Sequence, residues 1–134
     1  MEPTGDHNDI TAVLADLARA IVEGTADDVL ALFWQSDQVM MIGSEQGESA
    51  FGRAALAALW TRVLSRGQRY RWRWYDERVV KVSGVAWLSA SATVEVEGAE
   101  RDRDLPYRAT LVLVHIDGRW LIAQYHGSEP AGAW

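Results

Sequence analysis

The sequence predicts an α+β domain in which one curved sheet, mixed or antiparallel, wraps as a cone around three helices placed in the N-terminal half. Three observations carry this. Apolar residues recur with helical spacing only before Gly67. Beyond it come RYRWRWYDERVVKV (69–82), VAWLSASATVEVE (85–97), YRATLVLVHI (107–116) and RWLIAQYHGS (119–128), all with period-two alternation. The last two are joined at Asp117-Gly118, a hairpin signal. Six short segments read as strands in all, the first being VMMI (39–42).

Each element has a local cause. Residues 1–7 read as a loose polar leader. From about Asn8, residues Ile10, Val13, Leu14, Leu17, Ile21 and Val22 form the stripe of an amphipathic helix over about 8–23. Gly24 is expected to end it with positive φ. Thr25 caps a second helix, with Asp27 and Asp28 facing the positive end of its dipole, and that helix runs to about Trp34. QSDQ turns the chain into VMMI, and GSEQGE (43–48) is a second polar turn holding Glu45 and Glu48. Gly52 and Arg53 open a third helix with Leu56, Leu59, Trp60 and Val63 on one face and Gly67 at its end. No repeat or linker interrupts the chain, so one domain over 1–134 is expected, ordered over about 8–130.

Composition narrows the function. With 49% apolar and 24% charged residues the chain is of the globular class. It has no cysteine, which excludes disulfides, thiolate metal sites and thiol catalysis. A net charge of −6 argues against nucleic acid. Arg69, Arg71 and Arg73 alternate with Tyr70, Trp72 and Trp74, the pattern of a solvated strand face. No stretch approaches the ~20 apolar residues of a membrane span. The opening MEPTGDHND lacks the apolar core of a signal peptide, so a cytoplasmic location and no membrane partner are expected.

Alternation sorts the sheet into two faces. Ala86, Leu88, Ala90, Ala92, Val94 and Val96 suit the concave face, because small side chains let helices approach and leave room for a cavity. Trp87, Ser89, Ser91, Thr93 and Glu95 lie opposite. The next strand divides into Tyr107, Ala109, Leu111 and Leu113 against Arg108, Thr110, Val112 and Val114. The last divides into Leu121, Ala123, Tyr125 and Gly127 against Trp120, Ile122, Gln124, His126 and Ser128. An outer face this apolar is expected to be covered, and a second copy of the chain is the expected cover.

The first helix, DDVLALFWQSDQVMMIGSEQGE, FGRAALAALW, the strands and DGRWLIAQYHGSEP together resemble the nuclear transport factor 2-like superfamily over about residues 8–130. Within it they are most similar to the SnoaL-like and ketosteroid-isomerase-like bacterial proteins. The resemblance implies a cystatin-like α+β barrel with an apolar cone. It implies no single reaction, since the superfamily includes isomerases, epoxide hydrolases, polyketide cyclases, dehydratases and a kinase association domain. Its enzymes place a carboxylate in the cone, where desolvation raises the pKa. The isomerase carries its base midway along the first strand, which here reads Val39-Met40-Met41-Ile42, and takes an oxyanion tyrosine from a first helix that here has none. Both departures argue against steroid-isomerase chemistry.

Trp34, Met41, Trp60, Trp72, Trp74, Tyr107 and Tyr125 are the candidate ligand-binding residues. Trp87, Arg108, Trp120, Gln124 and His126 are the candidate dimer-interface residues. No catalytic residue is assigned. His126 is the tempting base but lies on the outer face, and Asp37, Asp76 and Asp104 read as exposed, Asp76 beside a bulge. His7, His115 and His126 have no metal-ligand spacing, G-x-S-x-G is absent, and no metal or cofactor is expected. The expected function is a homodimer binding a small apolar molecule. The alternatives are an isomerase, cyclase or lyase acting on a polyketide- or steroid-like substrate, or an association module without ligand.

Overall fold

Four long strands, most of them alternating between a buried and an open side, dominate the computed structural model, which describes residues 4–98 and 103–132. The chain runs α1 (Thr4–Glu23), α2 (Ala26–Leu30), β1 (Met40–Ile42), β2 (Ser49–Phe51), α3 (Arg53–Leu64), β3 (Arg69–Val82), β4 (Val85–Glu97), β5 (Arg103–Ile116) and β6 (Arg119–Ser128). One six-stranded sheet has the order β2-β1-β6-β5-β4-β3. Among the described strand pairings β1–β6 is parallel and the other four are antiparallel. The sheet is therefore a mixed α+β sheet. β2 is the sixth strand, which the sequence counts but does not locate.

Two helices differ from expectation. α1 starts at Thr4, so residues 4–7 of the expected leader are helical, while residues 1–3 lie outside the described residues. Asp6 sits in its first turn, favourable to the helix dipole, and pairs with Lys81 of β3 at 3.1 Å. α2 stops at Leu30 rather than near Trp34, because β6 claims the backbone that would continue it. Ile122 N–H donates to Leu32 O at 2.9 Å and Trp34 N–H to Ile122 O at 2.8 Å. Thr25 and Asp28 do form the capping box of α2. Gly24 is not at positive φ. It is small for another reason: a Cβ there would lie 2.7 Å from Asp28 Oδ2.

The concave face packs as its alternation predicts, with Ala86, Leu88, Ala90, Ala92, Val94 and Val96 all buried against Ile10, Leu14 and Leu17 of α1 and Leu56 and Leu59 of α3 in one apolar core. Two bulges modify the pleat. In β3 the register shifts between Tyr75 and Arg78, with Asp76 at φ 54° and ion-paired to Arg78 at 3.4 Å on the surface. In β6 the pairing passes from Val112↔Gln124 to Leu113↔Ile122, leaving Ala123 as the extra residue. That insertion reverses the parity of everything before it. Ile122 and Trp120 consequently face inward and are buried, and the expectation that both lie on the outer face is corrected.

The β3 arginines lie on a solvated face: Arg71 pairs with Glu97 at 3.6 Å and Arg73 with Glu95 at 3.2 Å across to β4. Among the described residues no helix is long and apolar enough to cross a membrane.

Candidate functional site

Side chains do not fill the inside of the curl. A cavity of about 280 Å³ remains. Met41 of β1, Trp60 and Val63 of α3, Val94 and Val96 of β4 and Leu105 of β5 supply an apolar lining. The strands that place them are the alternating ones, so each presents every second side chain to the interior. The polar lining is organised as two pairs.

The first pair is Glu48 with Arg66. Glu48 ends the 43–48 turn and is 9% exposed, the one charged side chain buried among the described residues. Its Oε2 accepts from Arg66 Nη1 at 3.1 Å, and its Oε1 accepts from the Glu45 N–H at 3.2 Å. The turn is shaped for this: Gly43 N–H donates to Glu48 O at 2.6 Å, and a Cβ on Gly43 would lie 2.3 Å from Glu48 Oε1. Hydrogen bonding to Tyr70 and then to Glu48 lifts the Arg66 guanidinium above its ordinary value against the opposing effect of burial. Tyr70 in turn donates to Gln68 Oε1 at 2.7 Å.

The second pair is Tyr107 with Tyr125, whose hydroxyls lie 2.7 Å apart. Burial pushes the Tyr107 phenol far up, and Glu48 and Glu129 add to this against the lowering effect of the Tyr125 hydrogen bond. Burial also raises Tyr125 well above the ordinary tyrosine value, with Tyr107 and Glu48 adding to it. Both are un-ionised at neutral pH. The Tyr107 ring is held edge-to-face by Trp72 at 5.8 Å and Trp74 at 6.2 Å. Its hydroxyl occupies the space above Gly127, where a Cβ would lie 1.7 Å away.

Of the expected ligand-binding set, Met41, Trp60, Trp72, Tyr107 and Tyr125 are brought to this one cavity. Trp74 stands behind it against Tyr107. Trp34 is elsewhere, in a shallow depression with Phe33, Asp37 and Arg53. Of the expected interface set, Trp87, Arg108 and His126 are exposed and Gln124 is half-buried, all on the outer face. Trp120 is not there: it is buried and stacked on His115 at 4.7 Å. Asp37, Asp76 and Asp104 are exposed. Among the described residues no cluster of three or more His, Asp or Glu is placed to hold a metal.

Sequence reasoning missed Glu48 and Arg66. Nothing inside GSEQGE separates the buried carboxylate from the exposed Glu45. The distinguishing feature is Gly43, whose role exists only once the turn has folded.

A helix-filled curved sheet around a partly empty cone is the architecture of the nuclear transport factor 2-like superfamily. Within it the chain belongs to the SnoaL-like domain family, whose model matches residues 10–132. Among solved structures it is similar to a candidate dehydratase of the NTF2-like family from Streptomyces avermitilis, with a TM-score of 0.86, 14% identity, and 98% of this chain and 100% of that one covered. It is similar to a cystatin-like protein of unknown function from Nostoc punctiforme, with a TM-score of 0.78, 15% identity and coverage of 98% and 97%. A third likeness is to a candidate calcium/calmodulin-dependent protein kinase II association domain from Xanthomonas campestris, with a TM-score of 0.76, 18% identity and coverage of 92% and 87%. At these identities the likeness is one of fold. No curated protein matches the sequence.

Proposed function

We propose that the protein is a homodimer that binds one small, largely apolar molecule in the cavity. The observation that carries this is the unfilled space of about 280 Å³ between an apolar wall and two fixed polar pairs. It lies at the lower edge of the roughly 300–1,000 Å³ of ligand sites, which favours a body of one or two rings over a steroid. The cavity also counts against a pure association module, which has no need of an empty cone. The dimer rests on the outer face. Phe51, Met40, Gln124, Val112, Trp87 and Val80 align in one row across all six strands. Phe51 is 65%, Trp87 47% and Val80 45% exposed. Such a stripe suits a second copy by self-complementarity.

Native mass spectrometry tests both parts. A dimer carrying extra mass of a few hundred daltons, released on denaturation, is expected, and Trp87→Glu should shift the mass to the monomer. A wild-type monomer would remove the dimer from the reading, and a Trp87→Glu dimer would remove this face as its interface.

A second reading, a lyase, isomerase or cyclase acting on a polyketide-like substrate, is favoured by the buried Glu48 carboxylate on the cavity wall. On that reading Glu48→Gln keeps the bound molecule and loses its turnover at least 100-fold, of the order expected for a general base. Turnover unchanged in the variant would end it.

A further inference from the structure

Two phenols carry two protons, and the Tyr107–Tyr125 hydroxyl contact at 2.7 Å engages one of them. Neither hydroxyl has another hydrogen-bond partner among the described residues. The second proton therefore has no acceptor among the described residues and lies at the cavity wall, with Tyr107 7% and Tyr125 3% exposed. A donor at an apolar wall is best satisfied by an acceptor brought to it. Burial keeps both phenols protonated, so the proton is available to give.

The rest of the polar lining sets the charge. Glu45, Glu48 and Glu129 are opposed by Arg66 alone, and Arg66 is already engaged by Glu48 at 3.1 Å. An anion entering the cavity would meet a field that is already negative.

We propose that the occupant carries no negative charge and presents one oxygen acceptor, of ketone, quinone or ester class, to the spare proton of the Tyr107–Tyr125 pair. Its apolar body rests on Trp60, Trp72 and Val94. This deepens, and rests on, the reading of the cavity as a ligand site.

Three probes with the same bicyclic body separate the possibilities: 1-indanone, indane and indane-1-carboxylate, titrated calorimetrically into the wild-type protein. The expected order is indanone above indane by roughly fivefold to tenfold, one hydrogen bond's worth, with the carboxylate weakest. The carbonyl stretch of bound indanone is expected below its frequency in an apolar solvent. The double variant Tyr107→Phe/Tyr125→Phe should bind indanone and indane equally and restore that frequency. Should the variant fail to fold, the wild-type frequency alone decides. Equal binding of indanone and indane to wild type, an unshifted carbonyl band, or preference for the carboxylate would overturn the acceptor and leave the cavity reading standing. Failure of all three to bind would overturn both.

Discussion

Gly127→Ala is expected to cost about 3 kcal/mol of stability and to abolish ligand binding. The added Cβ would lie 1.7 Å from Tyr107 Oη, 2.5 Å from its Cζ and 3.1 Å from Tyr125 Cε1. Elsewhere such a clash is relieved by swinging a flexible side-chain end aside. Tyr107, flanked by Trp72 and Trp74, can do this only by tilting into the cavity, which takes the space of a ligand. Overpacking of a filled core costs about 1–3 kcal/mol, and here the displaced ring also breaks a buried hydroxyl pair. Gly127 is not at positive φ, so the effect is steric and not conformational. Adding Tyr107→Phe removes the closest contact but leaves the ring carbon, so it should recover only part of the loss. Urea unfolding reads both; a Gly127→Ala midpoint equal to wild type would show that the wall is looser than described.

Alkaline titration should unfold the protein from the inside. Tyrosine in an unfolded chain ionises near pH 10. Tyr107 and Tyr125 in the fold are held above that by burial. Their raised values contribute stability that is fully present below the unfolded pKa and is lost as pH rises toward the folded one. Across that window each protected phenol costs the fold about 1.4 kcal/mol per pH unit, so the pair removes about 3 kcal/mol per unit. A loss at that rate soon becomes a large fraction of the stability of a small domain. The measurement is tyrosinate absorbance followed alongside circular dichroism. Part of the absorbance should rise only together with unfolding, and that part should vanish in Tyr107→Phe/Tyr125→Phe. A full tyrosinate signal from a folded chain would contradict the burial of the pair.

Most of this architecture is legible in the residues. Alternation in 85–97 assigns the concave face because a pleat admits no other arrangement, and all six predicted positions are buried. The same logic fails at Trp120 and Ile122, where one extra residue at Ala123 reverses the faces. Parity has no local marker for a bulge. α2 is overrun for a related reason: Leu32, Phe33 and Trp34 continue a helical apolar pattern, but their backbone is drawn to Ile122. Five of the seven aromatic and methionine candidates meet at one cavity, since inward positions of β1, β3, β5 and β6 converge on the buried face of α3. The polar chemistry is less legible. Tyr107 and Tyr125 are visible as inward residues but not as a hydrogen-bonded pair. Glu48 and Arg66 reach each other from a turn and from just past the end of α3, a meeting that tertiary structure alone arranges.

The parallel pairing of β1 with β6 sets an order of assembly. β3, β4, β5 and β6 form a meander in which each strand finds its neighbour through a short turn or loop. Met40, by contrast, aligns with Gln124, so β1 can be anchored only after the chain between them has been closed into a loop. Contacts so distant along the chain come late and slow the whole process. During synthesis β1, which carries Met41, must wait unpaired on its β6 side for the C-terminal hairpin to emerge. The docking of β1 on β6, which brings Met41 to the cavity, is therefore expected to be a late step. A molecule that occupies the cavity would act on that step, holding in place the shortest strands of the sheet.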